Sequence, residues 1–128
     1  FGDIGNNKIS DKTNNKNEVD IWGNGEARRE FRYIGDLAKC VAKSIDQFES
    51  MPELMNVGLG FDYSINEYYR AAAEVIGYKG TFVHDLTKPT GMKQKLTSIQ
   101  KVKSWGWESS TSLHEGIEKT YKYFLTLN

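Results

Sequence analysis

Ser64-Ile65-Asn66-Glu67 and Gly77 mark both ends of one helix, and no other stretch constrains the folding of this chain as tightly. A serine at the N-cap accepts from the third backbone N–H of the helix, and a glutamate three places on reaches back to the serine N–H, so two otherwise unpaired donors are satisfied together. Gly77 suits the left-handed residue that closes a helix. A helix over residues 65–76 is therefore expected. Upstream, Leu37, Cys40, Val41, Ser44, Ile45 and Phe48 recur at the three- and four-residue spacing of an amphipathic helix, with Met51-Pro52 just beyond it. Downstream, Ser98 is placed to cap a short helix through Val102 that stops near Gly106. Ser112 and Glu115 repeat the capping pattern ahead of a stripe formed by Leu113, Ile117, Tyr121, Phe124 and Leu125.

Short extended runs separate these helices. Val19-Asp20-Ile21-Trp22 is ended by the turn Gly23-Asn24-Gly25, and Phe31-Arg32-Tyr33-Ile34, Leu54-Met55-Asn56-Val57 and Thr81-Phe82-Val83 follow. A loop runs through Lys88-Pro89-Thr90-Gly91. The order is strand, strand, helix, strand, helix, strand, helix, helix. This is α/β in class, with about four helices and strands too short and too few for a complete doubly wound sheet, so some are expected to belong to a larger sheet. Residues 1–18 are rich in Asn, Lys, Asp and Gly without apolar periodicity and read as a flexible lead-in; residues 19–128 read as one domain.

The 17 basic and 17 acidic residues cancel. That balance argues against general nucleic-acid binding but leaves room for a local cationic cluster that holds one small anion. Cys40 is the single cysteine and sits at an apolar helical position, which suits core packing; neither His84 nor His114 is near it in sequence as a base. No metal-ligand spacing is present. No apolar run approaches the roughly 20 residues of a membrane span and no signal peptide is visible, so a cytoplasmic protein is the expectation.

A dinucleotide seat needs a glycine-rich turn that opens a helix. Gly23-Asn24-Gly25 and Gly58-Leu59-Gly60 each supply two glycines, but Arg28 and Tyr63 stand where the third would be. Tyrosine-dependent reductases pair Tyr with a Lys four places on, which lowers the tyrosine pKa. None of the seven tyrosines here has that lysine.

Four segments carry a family resemblance. The stretch from Ile21 to Ala38, IWGNGEARREFRYIGDLA, resembles the WGxGxxxREFxxVxDLA segment of extended short-chain dehydrogenase/reductases that act on nucleotide sugars. Asn56-Val57-Gly58-Leu59-Gly60 with Ser64-Ile65-Asn66-Glu67 is similar to the NVGxGxxxSIxE segment of that family. Lys88-Pro89-Thr90-Gly91-Met92-Lys93-Gln94-Lys95-Leu96 is similar to the KPDGxxRKLxD stretch of its GDP-L-fucose synthase branch. Ser104-Trp105-Gly106-Trp107 and the segment from Ser112 to Ile117 resemble the Gly-Trp turn and last helix. The departures are Thr90 for Asp, Gln94 for Arg, Ser98 for Asp, and Gly35 for the acidic residue before Asp36.

The resemblance implies the C-terminal, GDP-sugar-binding part of an NADP(H)-dependent epimerase/reductase, with most of the Rossmann core missing. The implied parent is a homodimer that epimerises GDP-4-keto-6-deoxymannose beside its ketone and reduces it with NADPH. The family's Ser-Tyr-Lys triad and its epimerising Cys and His lie upstream of the Trp-Gly motif, and Cys40 is not one of them. This chain alone is accordingly expected to bind no cofactor and to be inert.

For the substrate site, the resemblance implies Arg29 at the diphosphate, Lys95 at phosphate or ribose, and Trp22 near the nucleotide. The side chains suit those roles: a guanidinium fork gives two charge-assisted hydrogen bonds, and an indole offers a flat face and a donor. The alternatives are an ion pair of Arg29 with Glu30 or Asp36, a core Trp22, and a plain surface Lys95. Arg28 lies off the motif and is expected to face solvent. Asn56 and Gly58 are expected to shape a loop, Asp36 to complement a helix dipole, and Trp105 and Trp107 to pack between the last two helices. Competing functions are another nucleotide-sugar epimerase or dehydratase, a noncatalytic interaction domain of the same fold, and a truncated piece of the enzyme.

Overall fold

The computed structural model describes residues 17–127. They form β1 (Glu18–Trp22), β2 (Arg28–Arg29), α1 (Ile34–Asp46), β3 (Tyr63–Ser64), α2 (Ile65–Ile76), β4 (Thr81–Asp85), α3 (Gln100–Ser104) and α4 (Leu113–Thr126), with one tight helical turn at Phe48–Ser50. The lead-in expected over residues 1–18 lies outside the described residues up to residue 16, and Glu18 already belongs to β1.

The capping box forms as the sequence requires. Ser64 Oγ accepts from the Glu67 N–H at 3.2 Å, Glu67 Oε2 accepts from the Ser64 N–H at 2.6 Å, and Gly77 closes α2 with φ 69°. Ser112 Oγ likewise accepts from the Glu115 N–H at 3.3 Å, but the Glu115 carboxylate pairs with Lys119 at 2.7 Å. Ser98 caps nothing: α3 starts after Ile99, which makes no side-chain cap.

The strands pair in two separate ribbons. β1 runs parallel to β4, from Glu18 beside Thr81 to Trp22 beside Asp85, and β2 runs antiparallel to β3. Two expected strands are corrected. Residues 31–33 are not a strand: Tyr33 is already the N-cap of α1, and the Phe31 ring packs on Tyr68 with centroids 4.8 Å apart. Residues 54–57 have strand-like composition but no strand beside them among the described residues. They run as a loop in which the Val57 carbonyl accepts from Arg32 and Asn56 Nδ2 reaches the Ser98 carbonyl at 3.4 Å. A strand is defined by its partner, so composition alone does not make one.

Cys40, Val102 and Trp107 form a buried cluster, flanked by Met55, Val57, Ile99 and Trp105. Burial pushes the Cys40 thiol pKa up, as suits a packing residue. The two tryptophans pack against α1 as well as α3, a correction to their expected place between the last two helices. Lys43 sits 4.9 Å from the Trp105 ring centroid and Trp105 Nε1 donates to Ser50 Oγ at 3.2 Å.

Asp36 is buried and does more than face a helix dipole. Its carboxylate accepts from Ser109 Oγ (2.6 Å), the Ser110 N–H (3.2 Å), the Thr111 N–H (2.9 Å) and Thr111 Oγ1 (2.9 Å), pinning α1 to the segment before α4. The apolar stripe of α1 is only partly covered: Cys40 is buried, while Ile34, Val41 and Ile45, and Phe48 in the turn that follows, remain exposed. No helix among the described residues is long and apolar enough to cross a membrane.

Candidate functional site

Successive residues of a strand point to opposite faces, and β2 puts its two arginines to different uses. Arg28 Nε donates to Asp62 Oδ1 at 2.6 Å and its Nη2 to the Asp62 carbonyl at 2.7 Å, with Glu67 Oε2 3.6 Å from Nη1. Gln94 Nε2 holds the other Asp62 oxygen at 2.6 Å. Gln94 and Arg28 together keep the Asp62 carboxyl below the ordinary carboxylate range. Backbone bonds from the Arg28 N–H to the Lys93 carbonyl (2.8 Å) and from the Lys95 N–H to the Arg28 carbonyl (3.4 Å) lay residues 93–95 along β2. Arg28 does face solvent in part, its side chain 42% exposed, but the expectation lacked its second role as a structural tie to the turn before β3.

Arg29 has no carboxylate partner among the described residues. Its Nη1 donates to the Arg28 and Met92 carbonyls, each at 2.7 Å. The two acids that sequence reasoning offered it are occupied elsewhere, Asp36 by the 109–111 segment and Glu30 by two loops. Glu30 Oε1 accepts from the Leu59 N–H and, at 2.9 Å, from the Gly60 N–H. Its Oε2 accepts from the Thr97 N–H at 3.1 Å and Thr97 Oγ1 at 2.8 Å. Desolvation opposes the Glu30 charge, but the bonds from Gly60, Thr97 and Leu59 outweigh it and lower the pKa.

Arg29 and Lys95 line one open depression of about 800 Å³ with Glu30, Met92, Gln94 and Thr97. The peptides around Arg29 are fixed from behind by Tyr68, whose hydroxyl donates to the Arg29 carbonyl (3.0 Å) and accepts from the Phe31 N–H (3.1 Å). Burial pushes the Tyr68 pKa up to about 12, so the phenol keeps its proton for the Arg29 bond. Glu30 and Tyr68 were missed as site-building residues. Adjacency to Arg29 was the available signal for Glu30, whereas Tyr68 reads in sequence as one more aromatic on α2.

Trp22 is 61% exposed and so is not packed in the core of this chain. It ends β1, and Lys88 Nζ lies 5.7 Å from its ring centroid. Trp22 does not line the depression but borders the loop that does. A Cβ at Gly23 would overlap the Thr90 methyl, a Cβ at Gly91 would lie 3.5 Å from Arg29 Nη2, and Met92 holds Arg29. Arg29 and Lys95 therefore share one depression, and Trp22 lies beside the 88–92 loop that borders it.

Among the described residues no three His, Cys, Asp or Glu side chains gather as metal ligands. His84 contacts Asn66 at 2.7 Å and His114 contacts Glu74 at 2.8 Å. The Gly23–Gly25 turn leads into β2 and the glycines at 58 and 60 lead towards β3; neither opens a helix.

Residues 6–58 match the model of the NAD dependent epimerase/dehydratase family. The chain is also 52% identical over 110 residues to GDP-L-colitose synthase of Yersinia pseudotuberculosis, a match that covers 86% of this chain and 36% of that protein. GDP-L-fucose synthase of Azorhizobium caulinodans is 47% identical over 110 residues, covering 86% of this chain and 35% of that protein. Among solved structures, a GDP-6-OMe-4-keto-L-xylo-heptose reductase from C. jejuni superposes with TM-score 0.79 at 30% identity, over 87% of this chain and 34% of that one. The fold is that of part of an extended short-chain dehydrogenase/reductase. The chain spans about a third of the length of the relatives it matches.

Proposed function

We propose that this chain is the GDP-sugar-binding part of a longer NADP(H)-dependent epimerase/reductase of cytoplasmic nucleotide-sugar biosynthesis. The observation that carries the reading is Arg29, a guanidinium without a carboxylate partner among the described residues, facing the same open depression as Lys95. Such a pair suits a diphosphate: the planar guanidinium directs hydrogen bonds to two oxygens, and the ammonium adds a mobile point charge. Trp22 offers an exposed indole face to the nucleoside. Both similar synthases carry GDP in their names and differ in the sugar, so the reading commits to the GDP-sugar class.

In this reading the NADP(H) seat and the groups that move protons and hydride come from the rest of the longer protein. Three features support it: the one-third coverage of the relatives, the absence of a helix-opening glycine turn among the described residues, and the uncovered apolar face of α1. The task left to this chain is to bind and orient the substrate. Interactions with a nonreacting diphosphate contribute to the rate by holding the sugar in reacting geometry.

The test is calorimetry with GDP on the full-length protein. Arg29→Ala is expected to weaken binding roughly ten- to a hundredfold, in line with a charge-assisted bond of ~1.5–3 kcal/mol. Lys95→Ala should also weaken it, by a smaller factor. Unchanged affinity in both variants would mean that the phosphates bind elsewhere. Equal affinity for UDP would remove the guanine preference and leave the diphosphate site.

A further inference from the structure

We propose that Glu30 is the positioning residue of this cleft: its carboxylate clasps the 58–60 loop and Thr97 against β2 and so sets the shape in which Arg29 and Lys95 receive a nucleoside diphosphate. The inference rests on the diphosphate reading above and concerns a residue to which that reading gives no role.

Glu30 follows Arg29 in sequence and lines the same depression. Coulomb's law alone makes an acidic side chain there unfavourable, because a carboxylate beside a diphosphate repels it. The geometry explains why one stands there. Both oxygens are engaged by donors from two separate segments: Oε1 by the backbone N–H groups of Leu59 and Gly60, and Oε2 by the backbone N–H and hydroxyl of Thr97. No neutral side chain of this length offers acceptors on both arms, since an amide replaces one oxygen with a donor. Gly58 leaves room for the clasp: a Cβ there would overlap Glu30 Oε1 and Thr97 Oγ1. Thr97 is two residues from Lys95, so releasing it frees the Lys95 wall while Arg29 stays anchored through Met92 and Tyr68.

The two views of Glu30 predict opposite signs. If the carboxylate only repels the ligand, Glu30→Gln strengthens GDP binding. If it positions the cleft, Glu30→Gln weakens binding although a negative charge has been removed. The experiment titrates GDP, and separately NADPH, into the full-length protein and its Arg29→Ala, Glu30→Gln, Thr97→Val and Thr97→Ser variants, with circular dichroism as the check on folding. The expected result is a loss of about tenfold in GDP affinity for Glu30→Gln, on the scale of one or two charge-assisted bonds. Thr97→Val should show a smaller loss and Thr97→Ser should recover it by keeping the hydroxyl donor, with NADPH affinity unchanged throughout. Equal or tighter GDP binding by Glu30→Gln, in a protein where Arg29→Ala loses affinity, overturns the positioning role. Parallel losses of GDP and NADPH affinity overturn it too, since they mark a general structural defect. No loss in Arg29→Ala overturns the diphosphate reading itself, whatever Glu30→Gln does. Should Glu30→Gln fail to fold, the Val-to-Ser comparison at Thr97 decides the question alone.

Discussion

Three acidic residues of this chain have work that their sequence positions do not announce. Asp36, Asp62 and Glu30 each join two segments far apart in sequence, and in each the ionised carboxylate accepts several hydrogen bonds. For Asp36, burial opposes the charge, but the bonds from Ser109, Thr111 and Ser110 prevail and lower the pKa below its ordinary value of 3.8. A depressed carboxyl pKa contributes stability above the unfolded-state value, and this contribution is lost as pH falls through the lower folded-state value. The urea midpoint should therefore drop as pH falls below about 4, and Asp36→Asn should flatten that acid limb. At neutral pH, Asp36→Asn should cost about 2 kcal/mol, because an amide turns one acceptor into a donor that faces Thr111 and Ser109 donors. Arg28→Ala should also lower stability, because it strips the guanidinium from Asp62. An Arg28→Ala variant as stable as the parent would mean that the tie to Asp62 adds nothing to the fold.

At the scale of elements, legibility follows how local the cause is. The Ser64 capping box and the Gly77 stop were legible because every atom involved lies within a few residues. The stripe of α1 was legible as a helix, but which part of it is covered was not, since that depends on neighbours remote in sequence. Residues 31–33 and 54–57 read as strands because aromatic and branched residues favour extended backbone, yet pairing decides strands, and the pairing went to β2 with β3. The site divides the same way. Arg29 and Lys95 stand out in sequence as candidates by motif and chemistry, whereas the Glu30 clasp and the Tyr68 phenol depend on contacts 29 to 67 residues apart. Two glycines test this distinction. Nothing lies within 4 Å of a Cβ at Gly77, so Gly77→Ala should cost only the left-handed strain of φ 69°, about 1 kcal/mol in thermal unfolding. Gly58→Ala should cost more and should also weaken GDP binding, because its Cβ would collide with the Glu30 and Thr97 oxygens that form the clasp. Equal costs, with GDP binding intact, would mean that the loop gives way freely.

The whole molecule has features of a partial structure: two ribbons of two strands, a parallel pair with no further strand beside it among the described residues, and a helix whose apolar side is only half used. Parallel sheets are ordinarily covered on both faces, and β1 with β4 makes only a minimal one. Ile45 on α1 and Phe48 in the turn after it, 74% and 67% exposed, are uncovered and lie away from the Arg29 depression in sequence and in lining. If the rest of the longer protein covers that side, one substitution should have opposite consequences in two settings. In the 128-residue chain, Ile45→Glu replaces an exposed apolar side chain and should change stability by less than about 0.5 kcal/mol, as surface substitutions do. In the full-length protein the same change would bury a charge without a partner and should cost several kcal/mol. Thermal unfolding of the two pairs gives the comparison. A large loss in the full-length protein with none in the short chain locates the covering surface on α1. Equal, small changes in both would mean that the longer protein leaves this face of α1 to solvent and meets this chain elsewhere.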